Sequence, residues 1–176
     1  AAFAKGEGRD TSEAVLRDGS GAALARVESI FRKQGGKEKV STLRQEMNTT
    51  MEDGAGIYRT EETLTSTAKK IDEVRARYAE VNVADKTSVF NTDLIYALEL
   101  GAMLDVSQTV AHSALHRKES RGSHQRLDFE KRDDVNYLKH SMAHYDGKGN
   151  PKIDYLDVVI TKSQPAARVY GGAAEK

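Results

Sequence analysis

The sequence predicts a mainly α protein, an antiparallel bundle of three to four helices like a spectrin repeat, followed by a small C-terminal α+β hairpin region. Three observations support this prediction. Hydrophobic residues make up 38% of the 176 residues and aromatic residues only 6%, which favours packed helices over a β-sandwich. Apolar residues recur at steps of three and four through most of residues 19–122. Both prolines, Pro151 and Pro165, come late, so no proline interrupts the predicted bundle.

Composition excludes several classes of protein. Lys plus Arg and Asp plus Glu are both 27, so the formal net charge of zero gives no global field toward nucleic acid or an anionic membrane. The absence of cysteine excludes disulfides, thiolate catalysis and cysteine-ligated metal within this segment. We expect no membrane span, because no apolar run approaches the roughly 20 residues required. No signal peptide is visible at the N-terminus.

The N-terminal residues are expected to be a remnant of something longer. Residues 1–5 have the composition of a helix end, and Asp18-Gly19-Ser20-Gly21 is predicted to form a loop. A first helix is predicted after that loop and ends at Gly35-Gly36. Its apolar stripe comprises Leu24, Val27, Ile30 and Phe31.

Two more helices are predicted from narrow apolar stripes on otherwise polar segments. Thr60 is expected to cap the third helix, with Glu61 and Glu62 facing the positive end of its dipole. The second-helix stripe is Val40, Leu43, Met47 and Met51; the third-helix stripe is Leu64, Ala68, Ile71, Val74, Tyr78 and Val81. Helices with one narrow stripe and short connections pack antiparallel, and we interpret these stripes as core.

The fourth helix is predicted to start at the N-cap Asn91 and to run for about six turns. Gly101 lies inside it, which indicates either a very close neighbouring helix or a bend. The predicted apolar stripe comprises Leu94, Ile95, Leu98, Ala102, Val106, Val110, Ala114 and Leu115.

The chain changes character after Gly122. Asp133-Asp134 is expected to cap a short helix, and residues 140–145 and 153–160 are predicted to form a hairpin around the turn at residues 146–150. Such a hairpin should lie against the helices or another domain. We therefore predict three parts: residues 1–18, a remnant and linker; residues 19–122, the bundle; and residues 123–176, a basic loop, short helix, hairpin and tail.

A charged cluster follows the fourth helix. Residues 117–132 contain six Lys or Arg against three acidic residues, a formal charge of +3. Arginine is well suited to bidentate carboxylate or phosphate recognition, so the cluster is a candidate anion site or docking site for an acidic partner. The alternative is an internal ion-pair network that fixes the loop against the helices. Both interpretations stay open on the sequence alone.

Catalytic and metal sites are weakly supported. His112 and His116 share a helix face, with Glu119 one turn later, which is compatible with a zinc or iron site, but Arg117 and Lys118 would oppose a cation. Ser120 and Ser123 lie near His124 without the elbow motif of a nucleophile. The G-x-G pairs at residues 6–8, 19–21, 54–56 and 147–149 lack a strand-to-helix context and are interpreted as turns.

Specific motifs resemble one known family. They are VFNTDL at residues 89–94, ELG at 99–101, RKESRGSHQRLD at 117–128 and RDD at 132–134, with Met51 and GIYR at 56–59 upstream. Together they resemble the C-terminal part of the flavoprotein subunit of fumarate reductase and succinate dehydrogenase. The RVYGG ending at residues 168–172 looks more like the bacterial quinol:fumarate reductase branch. One departure is Glu130, where the family commonly has proline.

The resemblance implies a division of labour in a longer chain. In such subunits an FAD-binding domain and a capping domain come first, and the flavin and substrate residues belong to them. This segment is therefore expected to hold no FAD and no catalytic residue, although its parent is an FAD-dependent oxidoreductase of anaerobic respiration. Implied partners are those upstream domains and the iron–sulfur subunit, with membrane anchor subunits touched only indirectly and no nucleic acid. Implied localisation is the cytoplasmic side of the inner membrane.

The resemblance favours a structural interface loop over an active site. We expect Arg121 and Arg126 to organise this loop through carboxylates such as Glu119 and Asp128. The predicted interface residues are Arg117, Glu119, Arg121, His124, Arg126 and Asp128. The alternative hypothesis is an autonomous helical binding module whose basic loop recognises an acidic partner or anion.

Overall fold

The computed structural model describes residues 12–145 and 149–166. The expectations for residues 1–5, for the turn at 146–148 and for the tail at 168–176 lie outside them. The described residues form five α-helices, a 3-10 turn at Tyr78–Glu80 and two short sheets. They are α1 (Glu13–Phe31), α2 (Val40–Ala55), β1 (Tyr58–Arg59), α3 (Glu61–Arg77), α4 (Thr92–His116), β2 (Gln125–Arg126), α5 (Asp134–Tyr137), β3 (Lys139–His144) and β4 (Lys152–Asp157).

Helices α2, α3 and α4 pack on one another and enclose the core. The stripes predicted for α2 and α3 form that core, because each helix offers a single apolar face. The predicted mainly α bundle with a hairpin region is confirmed. Core residues are Val40, Leu43, Met47, Ile71, Val74, Val81, Val83, Ala97, Leu100 and Leu104.

The predicted loop at residues 18–21 is wrong, because α1 runs through it from Glu13 to Phe31. Gly19 and Gly21 lower helix propensity but leave the backbone hydrogen bonds intact, and no proline breaks the helix. The interpretation of residues 19–21 as a turn is wrong for the same reason. The proposed division between residues 18 and 19 falls inside this helix and stays a prediction. Ile30 packs against the core, but Leu24 is exposed.

The long helix α4 begins as predicted, with the Asn91 side chain accepting from Leu94 N at 2.8 Å. The predicted stripe, however, lies largely on the wrong face, since Ile95, Val106 and Val110 are exposed. The buried face combines two leucines with small and polar residues, and a hydrophobic pattern does not detect the small and polar ones. These are Ala97, Leu100, Gly101, Leu104, Ser107, Gln108, Ala111, His112 and Ala114.

Gly101 is the point of closest approach on α4. A Cβ atom there would come within 2.9 Å of the Tyr78 ring, whose hydroxyl donates to Ala97 O at 2.7 Å. Gly101 therefore leaves room for the ring of Tyr78, the residue after α3. We predicted a very close neighbouring helix or a bend at Gly101, and the structure places a tyrosine ring there.

By length and composition alone, α4 is long and apolar enough to cross a membrane. The expectation that no segment is long and apolar enough to span a membrane is therefore wrong. One side of this helix forms part of the bundle core.

The predicted short helix and hairpin are present. Asp133 caps α5 by accepting from Val135 N and Asn136 N. Strands β3 and β4 pair antiparallel, but β4 ends at Asp157, before the predicted end at Ile160. The hairpin lies against the end of α4, where the Tyr155 hydroxyl donates to His116 O at 3.2 Å.

Candidate functional site: the ion-pair loop after the long helix

Residues 117–134, here called the ion-pair loop, connect the end of α4 to α5. Arg117 is the C-cap of α4, and the chain then turns back so that β2 pairs in parallel with β1. Leu127 N donates to Arg59 O at 2.8 Å, which continues this pairing. The ion-pair loop therefore lies beside both the C-terminus of α4 and the N-terminus of α3.

Arg126 is the centre of the ion-pair loop and is fully buried. Its Nη1 donates to three main-chain carbonyls at the end of α4, those of Ala114, Leu115 and Arg117, each at 3.3 Å. A helix leaves its last carbonyls unpaired and carries partial negative charge there. The guanidinium supplies both the missing donors and a positive charge, and its Cζ atom lies 4.9 Å from the Phe129 ring centroid.

Asp128 connects Arg126 to the N-terminus of helix α3. Its two oxygens accept from Arg126 Nε and Nη2 at 2.8 Å each, and Oδ2 also accepts from Glu61 N at 2.7 Å. Glu61 is the first residue of α3, so a carboxylate meets a positive helix N-terminus. The hydrogen bond from Arg126 is the main reason that the pKa of Asp128 falls to about 2. One ion pair therefore connects the ends of α3 and α4.

Glu119 forms a second buried centre. It is fully buried, and it accepts from Arg121 at 2.8 and 3.0 Å, from Arg117 and from Asp133 N at 2.8 Å. Burial raises the pKa of Glu119, but the hydrogen bonds from Arg121, Asp133 N–H and Arg117 outweigh burial and lower the pKa overall. The side chain is therefore an ionised carboxylate at neutral pH.

Arg117 connects the ion-pair loop to the hairpin. Besides Glu119, it donates to the main-chain oxygens of Tyr137 and Lys139 and to Ser141 Oγ. Because these acceptors belong to α5 and β3, this arginine fixes the position of the hairpin relative to the end of α4.

His124 is held as a neutral imidazole. Arg59 Nη1 lies 2.8 Å from Nδ1, and Arg117 O lies 3.0 Å from Nε2. Arg59 can only donate and a carbonyl can only accept, so Nε2 carries the proton and Nδ1 does not. Burial is the largest cause that lowers the pKa of His124, and the positive charge of Arg59 lowers it further.

The ion-pair loop uses most of its positive charge internally. Five of the six cationic side chains in residues 117–132 lie 3.5 Å or less from a carboxylate among the described residues. Part of that negative charge comes from outside the stretch, from Glu61 and Asp134. These pairs are the expected contacts of the network hypothesis, and they leave few groups for an external anion.

The alternative metal site does not assemble. His112 Nε2 faces Asp72 at 3.2 Å, His116 Nδ1 faces His112 O, and Glu119 is surrounded by arginines. No group of three or more His, Cys, Asp or Glu side chains converges as a metal site in residues 12–145 and 149–166. The Ser120 hydroxyl bonds to the main chain of Arg126 and Phe129, so it serves the loop structure.

Several residues of this network were not expected from the sequence. Arg59 and Glu61 belong to the network through long-range contacts, and Ser120, Asp133 and Asp134 complete it. The sequence indicated Glu61 only as an acidic residue in the first turn of α3. Pairing between residues about 65 positions apart has no local signature in one sequence.

Comparison with known proteins identifies the family to which this chain belongs. The family model described as "Fumarate reductase flavoprotein C-term" matches residues 44–170. The chain is 55% identical to a fumarate reductase flavoprotein subunit of Haemophilus influenzae over 86% of this chain and 25% of that protein. It is 37% identical to a succinate dehydrogenase flavoprotein subunit of Rickettsia bellii, over 84% of this chain and 26% of that protein.

A solved structure of a variant E. coli quinol fumarate reductase matches with a TM-score of 0.87 and 45% identity, over 98% of this chain and 29% of that chain. The chain therefore belongs to the fumarate reductase flavoprotein C-terminal family. It spans about a quarter of the length of the curated relatives that it matches.

Proposed function

We propose that this chain is the helical and C-terminal part of a fumarate reductase flavoprotein subunit. In that role it scaffolds an upstream FAD-binding domain and contacts an iron–sulfur subunit of the same complex. The observation that carries the proposal is 55% identity with a fumarate reductase flavoprotein subunit over 86% of this chain but only 25% of that relative. The chemistry, interconversion of fumarate and succinate at FAD, belongs to the other three quarters.

The geometry of the ion-pair loop supports a structural role. The buried carboxylate of Glu119 is ionised, the imidazole of His124 is neutral and doubly hydrogen-bonded, and the arginines of the loop have carboxylate or carbonyl partners. Groups held this tightly make a rigid surface, and such a surface suits the docking of another subunit. The hypothesis of an autonomous anion-binding module is disfavoured, because the cations it requires are already paired.

Membership in a membrane-associated complex is part of the proposal. The solved structure given above is a quinol fumarate reductase. We propose a position on the cytoplasmic side of the inner membrane, reached through the other subunits.

Flavin binding gives the first test. The full-length subunit should contain FAD and, with its complex, reduce fumarate, whereas the 176-residue chain should do neither. Stoichiometric flavin in the purified 176-residue chain, measured by absorbance after denaturation, would overturn the assignment of cofactor chemistry to the upstream part.

Subunit docking gives the second test. Lys131 is exposed on the ion-pair loop, and Lys37, which precedes α2, is also exposed. In the full-length subunit, Lys131→Glu should weaken binding of the iron–sulfur subunit about tenfold or more, since rim charges contribute to docking, while flavin content is unchanged. Lys37→Glu is the matched control. Equal affinities of both variants and the wild type, measured by biolayer interferometry, would remove the loop from the interface.

A further inference from the structure

A cleft lies between the C-terminal half of α1 and the bundle. Its volume is about 470 Å³, which is in the range of small-molecule sites. One wall is the face of α1 that carries Arg26 and Ile30, four residues apart, with Lys33 just past the end of the helix. The opposite wall comprises Arg75 of α3 and Tyr78, the residue after α3. The cleft therefore separates α1 from α3.

The floor of the cleft is apolar and fixed in position. Ile30 packs against the core of the bundle. The Tyr78 hydroxyl donates to Ala97 O at 2.7 Å, and the Tyr78 ring packs against Gly101. The Cζ atom of Arg75 lies 5.4 Å from the centroid of that ring. The core therefore holds this floor in place without a ligand, and the floor offers a surface to an apolar group.

Positive charge in the cleft exceeds negative charge. Arg75 Nε donates to Asp105 at 2.6 Å, so these two charges compensate each other. Lys33 Nζ lies 3.4 Å from Glu80, which compensates a second positive charge. Arg26 is exposed, and among the described residues no carboxylate lies within 4.0 Å of its guanidinium. One positive charge is therefore left without a partner in the described part of the chain.

The guanidiniums of Arg26 and Arg75 act on the same part of the cleft. Burial raises the pKa of the Tyr78 hydroxyl, and the positive charges of Arg26 and Arg75 both lower it, since both lie near that hydroxyl. A carboxylate between the two guanidiniums can accept hydrogen bonds from both, because the planar donor fork of arginine fits a carboxylate. The single surplus charge fits one acid group, and the apolar floor fits an aliphatic chain.

We propose that this cleft binds a short aliphatic monocarboxylate, with its acid group between Arg26 and Arg75 and its chain along Ile30. The ligand then bridges α1 and α3. Helix α1 has no buried residue, so it gains more from a bridging ligand than the core helices do. Binding therefore stabilises α1 against local opening. The site is separate from the ion-pair loop and goes beyond the proposed function.

Hydrogen exchange in the full-length flavoprotein subunit, assembled in its complex, tests the proposal with hexanoate as the probe. At about ten times the dissociation constant, hexanoate should slow exchange in residues 20–31 about tenfold. Arg26→Gln should raise that dissociation constant about tenfold or more, because a charged hydrogen bond contributes roughly this factor. Arg17→Gln is the matched control, since Arg17 is an exposed arginine of the same helix that pairs with Glu13. Its dissociation constant should equal that of the wild type.

Two further compounds show which part of hexanoate is recognised. Hexanol carries the chain without the acid group and should not slow exchange, and inorganic phosphate carries charge without the chain and should bind at least about tenfold more weakly. Both comparisons use the wild-type subunit, so they do not depend on the folding of a variant. The proposal is overturned if hexanoate leaves exchange in α1 unchanged, as it would if another part of the complex fills the cleft. It is also overturned if both arginine variants weaken binding equally, or if hexanol or phosphate protects α1 as well as hexanoate does.

Discussion

The bundle and the ion-pair loop are stabilised by opposite means. Between α2, α3 and α4 the buried side chains are mainly aliphatic, with no fully buried charge among the described core residues. In the ion-pair loop the two fully buried large side chains are Glu119 and Arg126. Apolar burial is non-directional and tolerates adjustment, whereas buried charges require every partner to be in place.

This contrast explains how one short segment can hold a defined shape without a core. The ion-pair loop has little secondary structure, yet its arginines bond to helix ends, to the hairpin and to carboxylates such as Glu119, which Arg117 and Arg121 share. The region most easily mistaken for an active site is therefore the region that depends most on exact partner geometry.

The largest expected effect is at Arg126. Arg126→Leu in the full-length subunit removes the cation beside Asp128 and the donor of three carbonyls at the end of α4. Each buried polar group left unpaired costs about 1–3 kcal/mol, so we expect the free energy of local opening to fall by several kcal/mol. Native-state hydrogen exchange of residues 114–128 measures it. Arg32→Leu removes an exposed pair with Glu28 and should cost under about 0.5 kcal/mol. A similar loss of opening free energy in both variants would contradict a special role for the buried arginine.

Leu100→Ala tests the bundle side. The side chain is fully buried, so truncation should lower bundle stability by about 2–5 kcal/mol through lost burial and a cavity. Exchange at Ile71 and Val74 should accelerate more than exchange in the ion-pair loop. Leu16→Ala, on the exposed part of α1, is the control. Faster exchange in the loop than in the bundle would show that the two regions are not independent.

Gly101→Ala should cost about 1–3 kcal/mol despite the better helix propensity of alanine, because the new Cβ meets the Tyr78 ring. Gly19→Ala is the matched control: it lies in α1 with open space around it and should be neutral or stabilising by up to about 1 kcal/mol. Thermal unfolding of the two variants compares them. Adding Tyr78→Leu to Gly101→Ala should recover part of the loss, and a purely additive double variant would contradict the steric explanation.

The smallest expected effect at neutral pH concerns protonation of Asp128, which changes the stability of the ion-pair loop only at acidic pH. The pKa of Asp128 is lowered from 3.8 to about 2 in the folded protein. A depressed folded-state pKa gives stability that is complete above the unfolded pKa and lost as pH falls through the folded one. Opening of residues 114–128 should therefore become easier between about pH 4 and pH 2. Asp128→Asn should flatten that dependence; an unchanged pH profile in this variant would assign it to other carboxylates.

Sequence patterns predicted the parts whose signals are local. The caps at Thr60, Asn91 and Asp133, and the stripes of α2 and α3, follow from neighbours in the chain. The family and the fold class were confirmed. The predicted assignment of the six interface residues stays a prediction, although the structure places all six in one network.

The errors have physical causes. Helix α4 is apolar on two sides, so periodicity does not say which side faces the core. Its core side includes Gln108 and His112, which pair with Asp72 on α3 and look like surface residues in a hydrophobic pattern. In α1, Gly19 suggested a loop, but a glycine lowers helix propensity without preventing a helix.

The Arg126–Asp128 pair also has a consequence for the order of folding. It bonds to residues about 65 positions earlier in the chain and needs both the end of α4 and the start of α3 to exist. Contacts that close long loops form after the local structure they connect. We therefore expect closure of the ion-pair loop to be a late folding step, after the helices of the bundle have packed.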